Sequence, residues 1–148
     1  KVTMIGETIN GLPVRKESSV HLIRQNETIE QGLRYSILFD FDKAKSIDAY
    51  DTFLTEIVSP LITNGSTVII HGHTDVIGQE EYNHTLSHNR TMHAQTVLER
   101  SLASAGRSDV KFQTMSFGED EGHSPFENNL PEERFYNRTV IIDIIPVK

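Results

Sequence analysis

The stretch TVIIHGHTDVIGQEEYNHTLSHNR, residues 67–90, decides the fold. Thr67 to His73 has a continuous apolar centre, which suits a strand covered on both faces, as in a parallel pair. A polar loop follows. The next periodic segment runs from about Asn83 or Ser87 to Ala105, and Gly106 is a natural C-terminal cap for it. Strand, loop and long helix in that order open a strand–helix–strand crossover, expected to be right-handed.

Working outward, LRYSILFDF at residues 33–41 reads as a strand with Tyr35, Ile37, Phe39 and Phe41 on one face. Ser46 is placed to cap a helix whose apolar positions Ile47, Tyr50, Phe53, Leu54, Ile57, Val58 and Leu61 recur at spacings of three and four. Pro60 should kink or end that helix, and Asn64-Gly65 ends it. Downstream, Val110 to Phe117 is a third strand. A loop rich in Gly, Pro, Asn and Glu then runs to near Asn137, and Thr139 to Ile145 is the last strand. The order predicts an α/β (α+β) sandwich, a mixed sheet with helices packed on it. Residues 1–33 read as a strand-rich arm, the tail of a preceding domain: Val2 to Ile9 as a strand, Asn10-Gly11 as a two-residue turn, Val14 to Ile23 as the return. Residues 34–148 are the domain proper.

Composition narrows the function. A net charge of −7 over 148 residues lacks the clustered Lys and Arg that nucleic acid or an anionic membrane surface demands. No apolar run approaches the roughly 18 to 20 residues of a membrane span, so this segment is not expected to insert. The absence of cysteine removes disulfides, thiolate metal sites and a catalytic thiol. The start at Lys1 without Met is read as a processed or truncated piece. Five sequons, at Asn26, Asn64, Asn83, Asn89 and Asn137, are read as chance, two of them lying in helical segments.

One charge falls on the wrong face. On a wheel at about 100° per residue, Leu86, Ala94, Val97 and Ala105 share an arc, and Arg90 lies inside it. It also sits near the helix N-terminus, where the dipole disfavours a cation and free N–H groups await an acceptor. Asp75 follows the C-terminal end of the second strand, where ligand-binding groups of α/β sheets collect. Two readings stay open: an internal salt bridge, or a pocket in which a bound carboxylate supplies the anion that Arg90 lacks.

At HGHTDVIGQEEYNHTLSHNR, residues 71–90, the chain resembles OmpA-like peptidoglycan-binding domains: Gly72, His73, Thr74, Asp75, Gly78, Tyr82, Asn83, Leu86, Ser87 and Arg90 match in register. ILFDFDKA at 37–44, then Gly118, Pro125, Arg134 and Asn137-Arg138, extend the likeness over about residues 35–147. The resemblance implies a βαβαββ domain, not an enzyme and without a cofactor. It would bind the peptidoglycan stem peptide through its diaminopimelate and tether the outer membrane or an envelope complex to the wall in the periplasm of a Gram-negative bacterium. By the same likeness Asp75 and Arg90 hold the ammonium and carboxylate of that residue, Asn83 orients the ligand or its loop, and Thr74, Leu86 and Asp42 give further contacts. Arg138 belongs to the matched NR pair. Thr91 stands where the family commonly has Ala, and Thr139 where it commonly has a second Arg. The first departure looks harmless; the second weakens a peripheral contact. Arg90→Ala and Asp75→Ala are each expected to abolish wall binding with the fold intact.

The strongest rival is a zinc-dependent hydrolase, since His71, His73 and Asp75 have HxHxD spacing and the two histidines share a strand face. The second His that normally follows the Asp is here Val76. His73 reads as a hydrogen-bonding group at the strand end, and His84, His88, His93 and His123 as solvent-facing. A Ser87–His73–Asp75 hydrolase lacks a GxSxG elbow. Asp40 and Asp42, placed on one strand face by alternation, have little to raise either pKa for glycoside cleavage.

Overall fold

Burial along Thr67–His73 alternates: Val68 and Ile70 are fully buried, while Thr67, Ile69 and His71 are only half-buried. One face of the strand is therefore more fully covered than the other, against the expectation of two equal faces. The computed structural model explains why; it describes residues 2–18 and 32–147. The described elements are β1 (Val2–Glu7), β2 (Pro13–Ser18), β3 (Leu33–Leu38), α1 (Asp48–Phe53), β4 (Thr67–His73), α2 (Glu80–Ser104), β5 (Lys111–Gly118), α3 (Pro131–Asn137) and β6 (Thr139–Ile145). β3, β6, β4 and β5 form one sheet in that order, with β4 parallel to β5 and both β3 and β4 antiparallel to β6. The parallel pair foreseen for β4 exists, but on one side only.

Across the sheet, Ile37, Val140, Ile142, Ile144, Val68 and Ile70 share a face and pack with Leu54, Val58, Ala94, Leu98 and Leu102 from the helices. This is the expected mixed α/β architecture. Gly72 belongs to the same face where α2 crosses it. A methyl group there would stand 2.7 Å from Thr91 Cγ2 and deep inside the Ser87 carbonyl oxygen, so only glycine lets the helix lie this close.

The buried stripe of α2 runs in steps of four, Leu86, Arg90, Ala94, Leu98 and Leu102, with Ala105 exposed. The α1 stripe departs further. After Phe53 the helix widens into a π-turn over Leu54–Val58 and tightens into a 3₁₀ turn over Ser59–Leu61, with Pro60 inside it. The change of winding leaves Ile57 and Leu61 exposed while Leu54 and Val58 stay inside, and Ile47, extended before the first turn, is exposed as well. Ser46 caps nothing: Ile47 is the N-cap, and the Ser46 hydroxyl bonds Asp51 and His93 instead.

Two connections differ from the sequence reading. The long loop before β6 contains α3, which opens with Pro131 at its first turn and has the Glu133 carboxylate accepting from the Leu130 N–H. The hairpin of β1 and β2 turns through residues 8–12, not through Asn10-Gly11 alone. The Thr8 hydroxyl accepts from the Leu12 N–H, and the Thr8 N–H donates to the Leu12 carbonyl. Ile23 and the rest of the expected return beyond Ser18, and the Asn26 sequon, lie outside the described residues.

Candidate functional site

β4 ends at His73, and its register with β5 shifts between Gly72 and His73 so that His73 pairs with Gly118. The chain then turns through Thr74–Gln79 into α2. That turn is held by its own first residues: Asp75 Oδ1 accepts from the Ile77 N–H at 3.1 Å, and the Thr74 N–H donates to the Gly118 carbonyl. Gly78, at φ +126°, allows the sharp entry into the helix. On the other side, the chain leaving β3 turns through Phe41 and Asp42, the latter at φ +57°. Asp40 and Asp42 therefore sit in a turn and not on one strand face.

Between these two turns and the first three turns of α2 lies a cavity of about 260 Å³. Asp42, Thr74, Asp75, Asn83, Leu86, Arg90 and Arg138 all line it. Phe41, Ile77, Gly78 and Tyr82 complete the wall. Tyr82 was among the matching residues but not among those singled out; its hydroxyl donates to Asp42 Oδ1 and ties the two turns together. The phenol pKa is raised, first by that hydrogen bond.

Arg90 is fully buried, yet its partners within the chain are backbone carbonyls and not the internal salt bridge to a carboxylate. Its Nε donates to Lys43 O at 2.8 Å, Nη1 to His73 O at 3.0 Å and Nη2 to Asp40 O at 3.2 Å. Its guanidinium carbon lies 5.0 Å from the Phe39 ring centre. Because α2 begins at Glu80, Arg90 is in the third turn and not near the free N–H groups of the helix start. Three of its five N–H bonds are spent on carbonyls and two remain. Burial, the largest cause, pulls its pKa down to about 10, opposed by Asp75, so it stays cationic at neutral pH. The same geometry gives the side chain a structural task besides, since it staples the 40–43 turn to the end of β4.

Asp75 is 3 % exposed, and its salt-bridge partner is Arg138, Nη1 to Oδ2 at 3.0 Å. Arg138 comes from the end of α3, where Asn137 is pinned by bonds to Phe126 and Asn128. The Thr74 hydroxyl is buried and makes no hydrogen bond. The cavity thus presents two guanidinium groups, the carboxylates of Asp42 and Asp75, an amide and an unpaired hydroxyl within a small volume.

The rival metal site does not assemble. Asp75 faces Arg138, His73 stacks on Phe117 at 5.3 Å, and no group of three or more His, Asp or Glu able to hold a metal gathers among the described residues. His73 Nδ1 makes no hydrogen bond, contrary to its expected role, and its pKa is pushed down to about 4 by burial. His93 is not solvent-facing but bonds Asp51 at 2.9 Å. Thr139 is not peripheral: it is 3 % exposed and its hydroxyl donates to Ile37 O.

Among known proteins, residues 38–138 match the OmpA family. The chain is 34 % identical over 97 residues to outer membrane protein A of Serratia marcescens, covering 63 % of this chain and 26 % of that protein. It is 32 % identical over 122 residues to a photosystem I P700 chlorophyll a apoprotein A2 of Gloeobacter violaceus, covering 76 % of this chain and 13 % of that protein. The chain therefore spans a minor part of both relatives. The peptidoglycan-associated lipoprotein of Burkholderia pseudomallei shares the fold, with a TM-score of 0.55 at 21 % identity, over 74 % of this chain and 88 % of that one.

Proposed function

Since the chain belongs to the OmpA family, we propose that it is a non-catalytic wall-binding domain that grips the diaminopimelate of a peptidoglycan stem peptide in the cavity beside Asp75. The observation that carries this reading is the convergence, in one cavity, of Arg90, the Asp75–Arg138 pair and the buried, unpartnered Thr74 hydroxyl. A polar atom left unpaired in a native interior is costly unless something outside the chain satisfies it. Two guanidinium groups with spare N–H bonds suit an α-carboxylate, and Asp75 with the Asn83 amide suits the ammonium next to it. The zwitterionic end of diaminopimelate has both groups on one carbon.

The role is a tether. The protein is assigned to the periplasm of a Gram-negative bacterium, holding an outer-membrane protein or an envelope complex to the wall. Residues 34–148 are taken as the binding domain and 1–33 as an arm outside it. A single contact of this kind is modest, because ordering and desolvation offset much of each charge-assisted bond. Many copies on one polymer make the anchoring firm.

Calorimetric titration with a diaminopimelate-containing stem peptide, beside the same peptide carrying lysine, tests the reading. Lysine lacks the second α-carboxylate. Binding of the first peptide and a loss of at least about tenfold with the second is expected. Equal binding of both, or of neither, would reject it. Asp75→Asn should abolish binding of the first peptide and, because it breaks the buried pair with Arg138, lower the unfolding midpoint while the protein stays folded at the temperature of the titration.

A further inference from the structure

Asn83 is 1 % exposed, in the first turn of α2, and its amide nitrogen is crowded with acceptors. Nδ2 lies 3.2 Å from Asp75 O, 3.2 Å from Ile77 O and 2.5 Å from Glu119 Oε2. Turning the amide over would bring Oδ1 against two carbonyls and a carboxylate, none of which can donate. The orientation is therefore settled by charge and not by the shape of the site. Two of the acceptors are neutral backbone carbonyls at 3.2 Å. The Glu119 carboxylate is the near and ionisable one, and a charge-assisted bond is about twice as strong as a neutral one. Asn83 Oδ1 takes no hydrogen bond among the described residues, and the side chain lines the cavity.

Glu119 reaches Asn83 because the end of β5 is pressed onto the start of α2. Gly118 stands at φ +58°, and a methyl group on it would lie 3.0 Å from the His84 backbone nitrogen. Its N–H donates to Ser87 Oγ and its carbonyl accepts from the Thr74 N–H. The next side chain is thereby delivered to the first turn of the helix from outside the cavity.

We propose that Glu119 is a positioning residue: by accepting from Asn83 Nδ2 it aims Asn83 Oδ1 into the cavity, making Asn83 an acceptor that reads a ligand ammonium. This rests on the wall-binding reading and assigns Asn83 to the ammonium side of the ligand, opposite the two arginines.

The test uses Glu119→Ala, Glu119→Gln, Asn83→Ala and the double variant Glu119→Ala/Asn83→Ala. Each is titrated with the diaminopimelate peptide, and the side-chain amide resonances of Asn83 are followed in the ligand-free protein. Glu119→Ala should weaken binding about fivefold and shift the Asn83 amide resonances. Glu119→Gln, which keeps a carbonyl acceptor but loses the charge, should fall between the wild type and Glu119→Ala. In the Asn83→Ala background the Glu119→Ala change should add nothing. A full effect of Glu119→Ala in that background, or Asn83 resonances that do not move, would overturn the proposal. If the wild type binds no peptide, the wall-binding reading itself fails and the proposal falls with it; wild-type binding that is indifferent to Glu119 defeats the positioning role alone.

Discussion

Arg90 has two tasks, and they compete in any mutant. Its hydrogen bonds to the carbonyls of Asp40, Lys43 and His73 hold the 40–43 turn to the end of β4, and the same side chain lines the cavity. Arg90→Ala should therefore cost about 3 kcal/mol of stability, since one buried and two partly buried carbonyls lose their donor and a fully buried side chain is removed, besides ending binding. Thermal denaturation run beside sedimentation with purified sacculi checks it: unchanged stability would show that water replaces the guanidinium freely. Arg90→Lys keeps the charge without the three-way fork and should recover only part of the stability. His73 supplies a pH effect. Burial first, then His71 and His123, push its pKa to about 4 from 6.5. The unfolded chain takes up a proton below about 6.5 that the folded chain refuses until about 4, so stability is full above that window and falls as pH drops through it. The loss approaches about 3 kcal/mol. Urea midpoints at pH 7 and pH 4.5 should differ accordingly, and the difference should shrink in His73→Gln.

Among the elements, α2 crosses β4 at close approach, and Gly72 is the reason. Gly72→Ala would drive a methyl group into the Ser87 carbonyl and Thr91, so it should destabilise the protein by about 3 kcal/mol, read from the denaturant midpoint. Thr91→Ala in the same chain should relieve only part of this, because the backbone of Ser87 does not move aside. Just before β6, Asn137 bonds both the N–H and the carbonyl of Phe126 and so pins the long loop that precedes that strand. Asn137→Ala should cost about 2 kcal/mol and speed amide exchange across residues 119–130. Since Arg138 is the next residue, weaker wall binding should accompany it. The helical stripes were legible in the sequence where winding stays regular, as in α2, and misled where it does not. The π-turn at Leu54–Val58 rotates Ile57 and Leu61 outward, a change that a fixed angle per residue does not register.

For the whole molecule, β1 and β2 pair with each other, while every strand of the site belongs to the four-stranded sheet. Deleting residues 1–31 should thus leave the unfolding midpoint and the peptide affinity of the remainder unchanged. Loss of either would extend the domain into the arm. Among the described residues, no helix is long and apolar enough to cross a membrane.

The amino-acid sequence by itself determined the order of the sheet strands and of α1 and α2, the charge on the core face of α2 and the register of the HGHTD…R stretch. These are local patterns, set by the two-residue and 3.6-residue periods of the backbone. Only the tertiary structure decided which groups meet: β6 slots between β3 and β4, Asp75 finds Arg138, Arg90 finds carbonyls nearly fifty residues upstream, and Glu119 reaches Asn83. Such pairings join residues far apart in the chain, and what selects them is the closing of the sheet over its core, which brings strand ends together that no spacing along the sequence relates.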